Sequence, residues 1–186
     1  MSRIPWNIPN ILTMVRFLLI PVAVVLVYFG ITIPALVVFL TACITDLLDG
    51  YIARKYDLKT SEGTLLDPLA DKLMAIFVIV AFTVTGVVPL FILIILLVKE
   101  LLMIGGGIFL YFRDIVAPAN VFGKIAAFTL NTAIAFTFLH EYVAPWHVYF
   151  LCFALGLMIF ALLQYAYLNM YKKLKGRKDA EKLKSA

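Results

Sequence analysis

Hydrophobic and polar positions in this chain change over on a scale of about twenty residues, the length that crosses a bilayer core at about 1.5 Å per helical residue. Six apolar runs stand out, over residues 11–30, 34–53, 64–85, 90–112, 125–139 and 148–169. Each predicts a helix. Pro21 is placed to kink the first, and Asn10 to cap it. The separators are of two kinds. Residues 31–34, 86–89 and 140–147 make short turns, whereas 54–63 and 113–124 are longer polar connections. Residues 1–10 are interfacial in character, with Trp6 suited to the headgroup level and two prolines interrupting any long helix. This gives an interfacial segment over 1–10, a six-helix transmembrane domain over 11–171 and a basic tail over 172–186. The fold class is all-α and polytopic.

Composition agrees with the pattern. The 186 residues are 64% hydrophobic and 15% charged, and the mean hydropathy is +1.03. A soluble domain of this length carries far more charge. A transmembrane β-barrel would alternate apolar and polar residues, and these runs are continuous. Cys43 and Cys152 fall inside apolar runs, where free thiols act as small packing residues. Arg16 breaks the first run and no small-residue cleavage site follows it, so a cleavable leader is not expected.

The net charge of +5 is unevenly spread. Arg3, Arg54, Lys55, Lys59, Arg113, Lys124 and the lysines from Lys172 onward all lie on one side of a six-span arrangement. The turns on the other side carry no Lys or Arg. By the positive-inside rule both termini are cytoplasmic. The basic excess is then a topology signal with a contribution from anionic headgroups, and nucleic acid is not an expected partner. His140 and His147, on the opposite side, read as interfacial residues.

Against this background the acids are costly. Asp46 and Asp49 close the second run, and Asp67 and Asp71 open the third. Spacings of three and four residues put each pair on one helix face. The connection between the runs brings all four carboxylates to the cytoplasmic boundary. Four convergent carboxylates repel one another unless a cation intervenes. All-oxygen ligation selects Mg²⁺ or Mn²⁺, and four carboxylates suffice for two ions of the kind that clamp phosphate oxygens. Gly50 lets a ligand approach the helix closely, and Arg54 offers a planar fork to phosphate.

The spacing D-x2-D-G-x2-A-R-x8-G-x3-D-x3-D, from Asp46 through Asp71, resembles the signature of the CDP-alcohol phosphotransferases at every position. N-I-P-N-I-L-T-M-V-R (Asn7–Arg16), L-D-P-L-A-D-K (Leu66–Lys72) and F-G-K-I (Phe122–Ile125) look like the bacterial phosphatidylglycerophosphate synthase branch. The resemblance implies six transmembrane helices in the cytoplasmic membrane, usually in a homodimer. It also implies transfer of a phosphatidyl group from CDP-diacylglycerol, at the cytoplasmic side, with release of CMP. Carried over, Asp46, Asp49 and Asp67 ligate metal, while Asp71 shares the metal site and is the general base. Asp49, Gly50, Ala53, Arg54 and Gly63 line the cytidine diphosphate pocket.

The acceptor follows from the fourth and fifth runs. The branch carries an arginine–glutamate pair and a further arginine there. This chain has Lys99-Glu100 and then Gly105-Gly106-Gly107, a stretch that also looks like the cardiolipin synthases, whose acceptor is phosphatidylglycerol. The glycines either make room for a lipid acceptor or permit close helix packing. Lys99, Arg113 and Lys124 are candidate ligands of the acceptor phosphate, with glycerol 3-phosphate the leading acceptor. Lys99 and Glu100 also read as an intramembrane ion pair. A cation transporter is the alternative of another class, since intramembrane acids also mark ion paths.

Overall fold

The computed structural model describes residues 8–56, 61–112 and 121–168. Among these described residues seven helices follow in order: α1 (Ile8–Tyr28), α2 (Thr32–Lys55), α3 (Ser61–Val84), α4 (Leu90–Tyr111), α5 (Val121–Thr137), the four-residue α6 (His140–Val143) and α7 (Trp146–Tyr165). No strand occurs among the described residues. Helices α1, α2, α4 and α7 are long and apolar enough to cross a membrane, while α5 is a shorter apolar helix.

Each long helix buries one stripe and exposes the rest. On α1 the buried residues are Thr13, Arg16, Ile20, Ala23 and Val27; on α2 they are Ala35, Phe39, Ala42 and Asp49. These follow the three- and four-residue steps of a single helix face. Alanines recur where α1, α2 and α3 meet, with Ala23, Ala35, Ala42 and Ala70 buried. Lipid is as apolar as leucine, so close backbone approach and dispersion contacts hold such a bundle together. The outward faces are leucine, valine, isoleucine and phenylalanine, as on α4 at Ile94, Leu97, Leu101, Ile104 and Ile108.

Helix α1 packs chiefly on α2 and α3, and α5 on α7, with α4 against α7 and α3. At the end away from the acids, Phe138 sits 5.5 Å from Phe39 and 4.9 Å edge-on from Phe82, measured between ring centroids. Two turns return the chain sharply. Gly30 (φ 74°) and Gly86 (φ 80°) end α1 and α3 in the left-handed region. Ile31 N–H then reaches back to Leu26 O, and Val87 N–H to Phe82 O, the reversal that glycine permits at a helix C-terminus.

Several boundaries differ from the sequence expectation. Helix α1 starts at Ile8, so Asn10 lies inside it and Pro9 occupies the first turn, which tolerates proline. The helix also continues through Pro21. Helix α2 runs on to Lys55 and α3 begins at Ser61, leaving a shorter connection than 54–63. Lys124 belongs to α5 rather than a loop. His147 is buried within the protein, with Nε2 3.2 Å from Val87 O. It lies in the first turn of α7, against the α3–α4 turn. Cys152 is exposed on α7 and does not pack internally. Added side-chain atoms at Gly105, Gly106 and Gly107 would meet open space, so these glycines do not serve close packing within the protomer.

Candidate active site

The buried stripe of α2 turns polar in its last three turns. Continuing Ala35, Phe39 and Ala42 by the same steps arrives at Asp46 and Asp49, which therefore face α1 rather than lipid. Asp49 is 1% exposed and Asp46 34%. Helix α1 runs antiparallel to α2, so the start of α1 meets the end of α2. At that level stands Arg16, itself 1% exposed. Its Nη1 lies 2.8 Å from Asp46 Oδ1 and its Nη2 2.5 Å from Asp49 Oδ2. One guanidinium thus bridges two acids on the next helix.

Asp71 approaches from α3. It accepts a hydrogen bond from Asn131 Nδ2 on α5 at 3.4 Å, and lies within electrostatic reach of Arg16, Lys72 and Glu100. Cys43 on α2 feels both Asp46 and Asp71. Asp46 and Asp71 thus lie within electrostatic reach of the same thiol, on facing parts of α2 and α3. Asp67 and Gly63 lie on the first turns of α3, and Ala53 and Arg54 on the last turn of α2. Gly50 is half-buried beside Asp49. Arg113 lies outside the described residues, as does the tail from Lys172.

The donor set suits a hard cation. Asp46, Asp49 and Asp71 offer carboxylate oxygens with no thiolate or imidazole among them, the chemistry that Mg²⁺ and Mn²⁺ prefer. Among the described residues no group of three or more His, Cys, Asp or Glu forms a ready metal cage. The α2 pair instead leans on Arg16.

Beside Asp71 opens a cavity of about 530 Å³ between α3, α4, α5 and α7. Its polar lining includes Lys72, Lys99, Glu100, Lys124 and Asn131; Ala75, Ile76, Leu96, Leu130 and Met158 contribute apolar walls. Glu100 is the hub of the charges. Its Oε1 is 2.5 Å from Lys99 Nζ and its Oε2 2.9 Å from Lys72 Nζ. Lys99 and Glu100 are about nine-tenths buried (side-chain exposures of 9% and 10%), whereas Lys72 is 34% exposed. Lys99, a candidate acceptor ligand from sequence, lines the cavity with its ammonium on Glu100. Lys124 lines it too and is exposed. The intramembrane ion pair expected at Lys99–Glu100 is present.

Arg16, Lys72 and Asn131 lie outside the candidate site residues expected from sequence. Arg16 carried a signal, being the one charged residue within an apolar run of 20 residues, and intramembrane charges mark function by default. Lys72 follows Asp71 directly. Asn131 had no signal beyond its polarity.

Comparison with known proteins bears on what these groups do. The family model described as CDP-alcohol phosphatidyltransferase matches residues 6–165. A CDP-diacylglycerol–glycerol-3-phosphate 3-phosphatidyltransferase of Rickettsia felis is 35% identical over 136 residues, covering 72% of this chain and 75% of the relative. A protein of the same description from Aquifex aeolicus is 32% identical over 130 residues, 69% of this chain and 73% of the relative. A cardiolipin synthase (CMP-forming)/mitochondrial hydrolase fusion protein of Schizosaccharomyces pombe is 35% identical over 127 residues. That match takes 68% of this chain but spans only 21% of the fusion protein.

Proposed function

Given that the chain belongs to the CDP-alcohol phosphatidyltransferase family, we propose that it transfers the phosphatidyl group of CDP-diacylglycerol to glycerol 3-phosphate, releasing CMP and forming phosphatidylglycerophosphate. Membership decides against the ion-transporter reading of the acids. The observation that carries the choice of acceptor is the seat of Asp71, in the lining of a cavity whose polar wall also holds Lys72, Lys99 and Lys124. A base adjoins cations suited to a phosphomonoester. The Rickettsia and Aquifex relatives support the same acceptor.

In this reading Asp71 takes the proton of the acceptor hydroxyl, oriented by Asn131. The hydroxyl oxygen bonds to the lipid-side phosphorus as the bond from that phosphorus to the bridging oxygen breaks. CMP leaves with the electron pair, its charge met by Arg54. Asp46, Asp49, Asp67 and Asp71 would hold two divalent ions, Mg²⁺ or Mn²⁺. When bound, these supply charge neutralisation on the phosphates, the main requirement of phosphoryl-type transfer. Gly50, Ala53, Arg54 and Gly63 line the cytidine diphosphate pocket. Six helices, α1 to α5 and α7, cross the cytoplasmic membrane with both termini inside, and the site lies at the cytoplasmic boundary of a homodimer. Arg54 and Lys55 beside the acids fit that orientation.

A second reading rests on the cavity's apolar walls, which suit a lipid acceptor such as phosphatidylglycerol and accord with the fungal relative. The test is CMP release by purified protein with CDP-diacylglycerol, Mg²⁺ and either acceptor. Turnover with glycerol 3-phosphate, abolished by EDTA, is expected. Turnover with phosphatidylglycerol alone would overturn the choice.

A further inference from the structure

A buried arginine on two aspartates invites a bland explanation, a staple between α1 and α2. Energetics argue against it. Buried ion pairs are weak contributors to stability, and well-packed apolar residues of the same volume usually do as well or better. The rest of the α1–α2 seam is built in that cheaper way, from Ile20, Ala23, Val27, Ala35 and Phe39. Among the described residues the charged contact stands at the level of Asp46 and Asp49. Something other than cohesion is served there.

We propose that Arg16 is the positioning residue of the Asp46–Asp49 pair, holding both carboxylates in the orientation in which they receive a divalent cation and staying on them after it binds. The proposal deepens the reading of these aspartates as metal ligands and rests on it. Three observations carry it. First, the guanidinium is forked, with Nη1 on Asp46 and Nη2 on Asp49, so one rigid plane sets the rotation of both carboxylates. Secondly, each contact engages one oxygen, Oδ1 of Asp46 and Oδ2 of Asp49. A carboxylate offers about four acceptor positions, so one bond from the fork exhausts neither group. Thirdly, Arg16 is 1% exposed. A cation that expelled it would part a buried guanidinium from two carboxylates at once, at a cost of several kcal/mol. Retention is therefore favoured over displacement. The arrangement matches the outer-shell partners that orient ligating groups in metal sites, whose loss weakens affinity by about 10–100-fold.

The opposite possibility has a different sign. If Arg16 were a placeholder that the metal must evict, weakening its grip would tighten metal binding. Arg16→Lys separates the two, because it keeps the charge and loses the fork. The experiment is Mn²⁺ binding to detergent-purified, chelator-treated protein, followed by electron paramagnetic resonance and independent of turnover. Wild type, Arg16→Lys and Asp49→Asn are compared, with melting temperature in EDTA recorded for each. The expected result is a Kd raised about tenfold or more in Arg16→Lys, with a broader Mn²⁺ spectrum from a less ordered shell. An unchanged Kd beside a lowered melting temperature would reduce Arg16 to a staple and overturn the proposal. A lower Kd would make it a placeholder and overturn it too. Wild-type protein that binds no Mn²⁺, or binding indifferent to Asp49→Asn, would overturn both this inference and the metal reading beneath it. If Arg16→Lys does not fold, pulsed resonance decides instead. Mn²⁺-loaded protein with ¹⁵N-guanidino arginine, in an Arg54→Lys background, should show a weak ¹⁵N coupling, and its absence would refute retention.

Discussion

Glu100→Gln removes a single negative charge from between two ammonium groups, and the two should respond differently. Lys99 is 9% exposed and 2.5 Å from the lost carboxylate; Lys72, at 2.9 Å, is 34% exposed. Breaking a buried pair by removing one partner costs about 3–5 kcal/mol. That figure applies to Lys99. Lys72 can turn to water, and a partly exposed pair contributes at most about 1 kcal/mol. The sum is a loss of roughly 3–6 kcal/mol. For a chain of this length about 1 kcal/mol corresponds to a shift of roughly 2–4 °C. At the lower end the melting temperature should fall by roughly 6–12 °C, read by tryptophan fluorescence in detergent. The freed ammonium of Lys72 remains in the cavity, so KM for glycerol 3-phosphate should not rise. Adding Lys99→Met removes the stranded charge and should restore at least half of the lost stability. A single variant within about 2 °C of wild type, or a double variant no better than the single, would refute a dry Lys99–Glu100 pair.

Two other substitutions probe the reaction centre and the opposite end of the bundle. Asp71→Asn keeps the shape but not the carboxylate proposed as the base, and should lower kcat for CMP release by about 10²–10⁴-fold while the protein elutes and melts as wild type. Phe138→Ala opens a void between Phe39 and Phe82. In soluble cores this costs about 3–5 kcal/mol; where the surroundings are lipid the transfer contribution shrinks and packing remains, so about 2 kcal/mol is expected. Thermal stability should drop while kcat per folded molecule holds.

The helices, the turn at 86–89 and the shared face of Asp46 and Asp49 were legible from the sequence, because each depends on local periodicity or a short connection. The partnership of Arg16 with Asp46 and Asp49 was not. It joins residues about thirty apart, and a helical period says which side chains share a face but not which face of which neighbour they meet. Lys72 was obscured for a related reason. It is adjacent to Asp71 in sequence, but its partner Glu100 comes from another helix. The burial of His147 depends on the α3–α4 turn pressing against the start of α7, an arrangement with no sequence signature. Lys99–Glu100 was readable since the two are neighbours in the chain.

The Arg16 bridge also bears on how the chain enters the bilayer. An arginine inside a lone transmembrane helix raises the cost of partitioning by up to about 2.5–3.5 kcal/mol. Here the carboxylates that compensate it are synthesised 30 and 33 residues later, on the other arm of a hairpin closed at Gly30. Helix α1 alone is therefore a poorer guest of lipid than α1 and α2 together. Translocation machinery that holds the first arm until the second emerges would release both with the guanidinium already compensated, making the order of insertion a property written into the same cluster of charges.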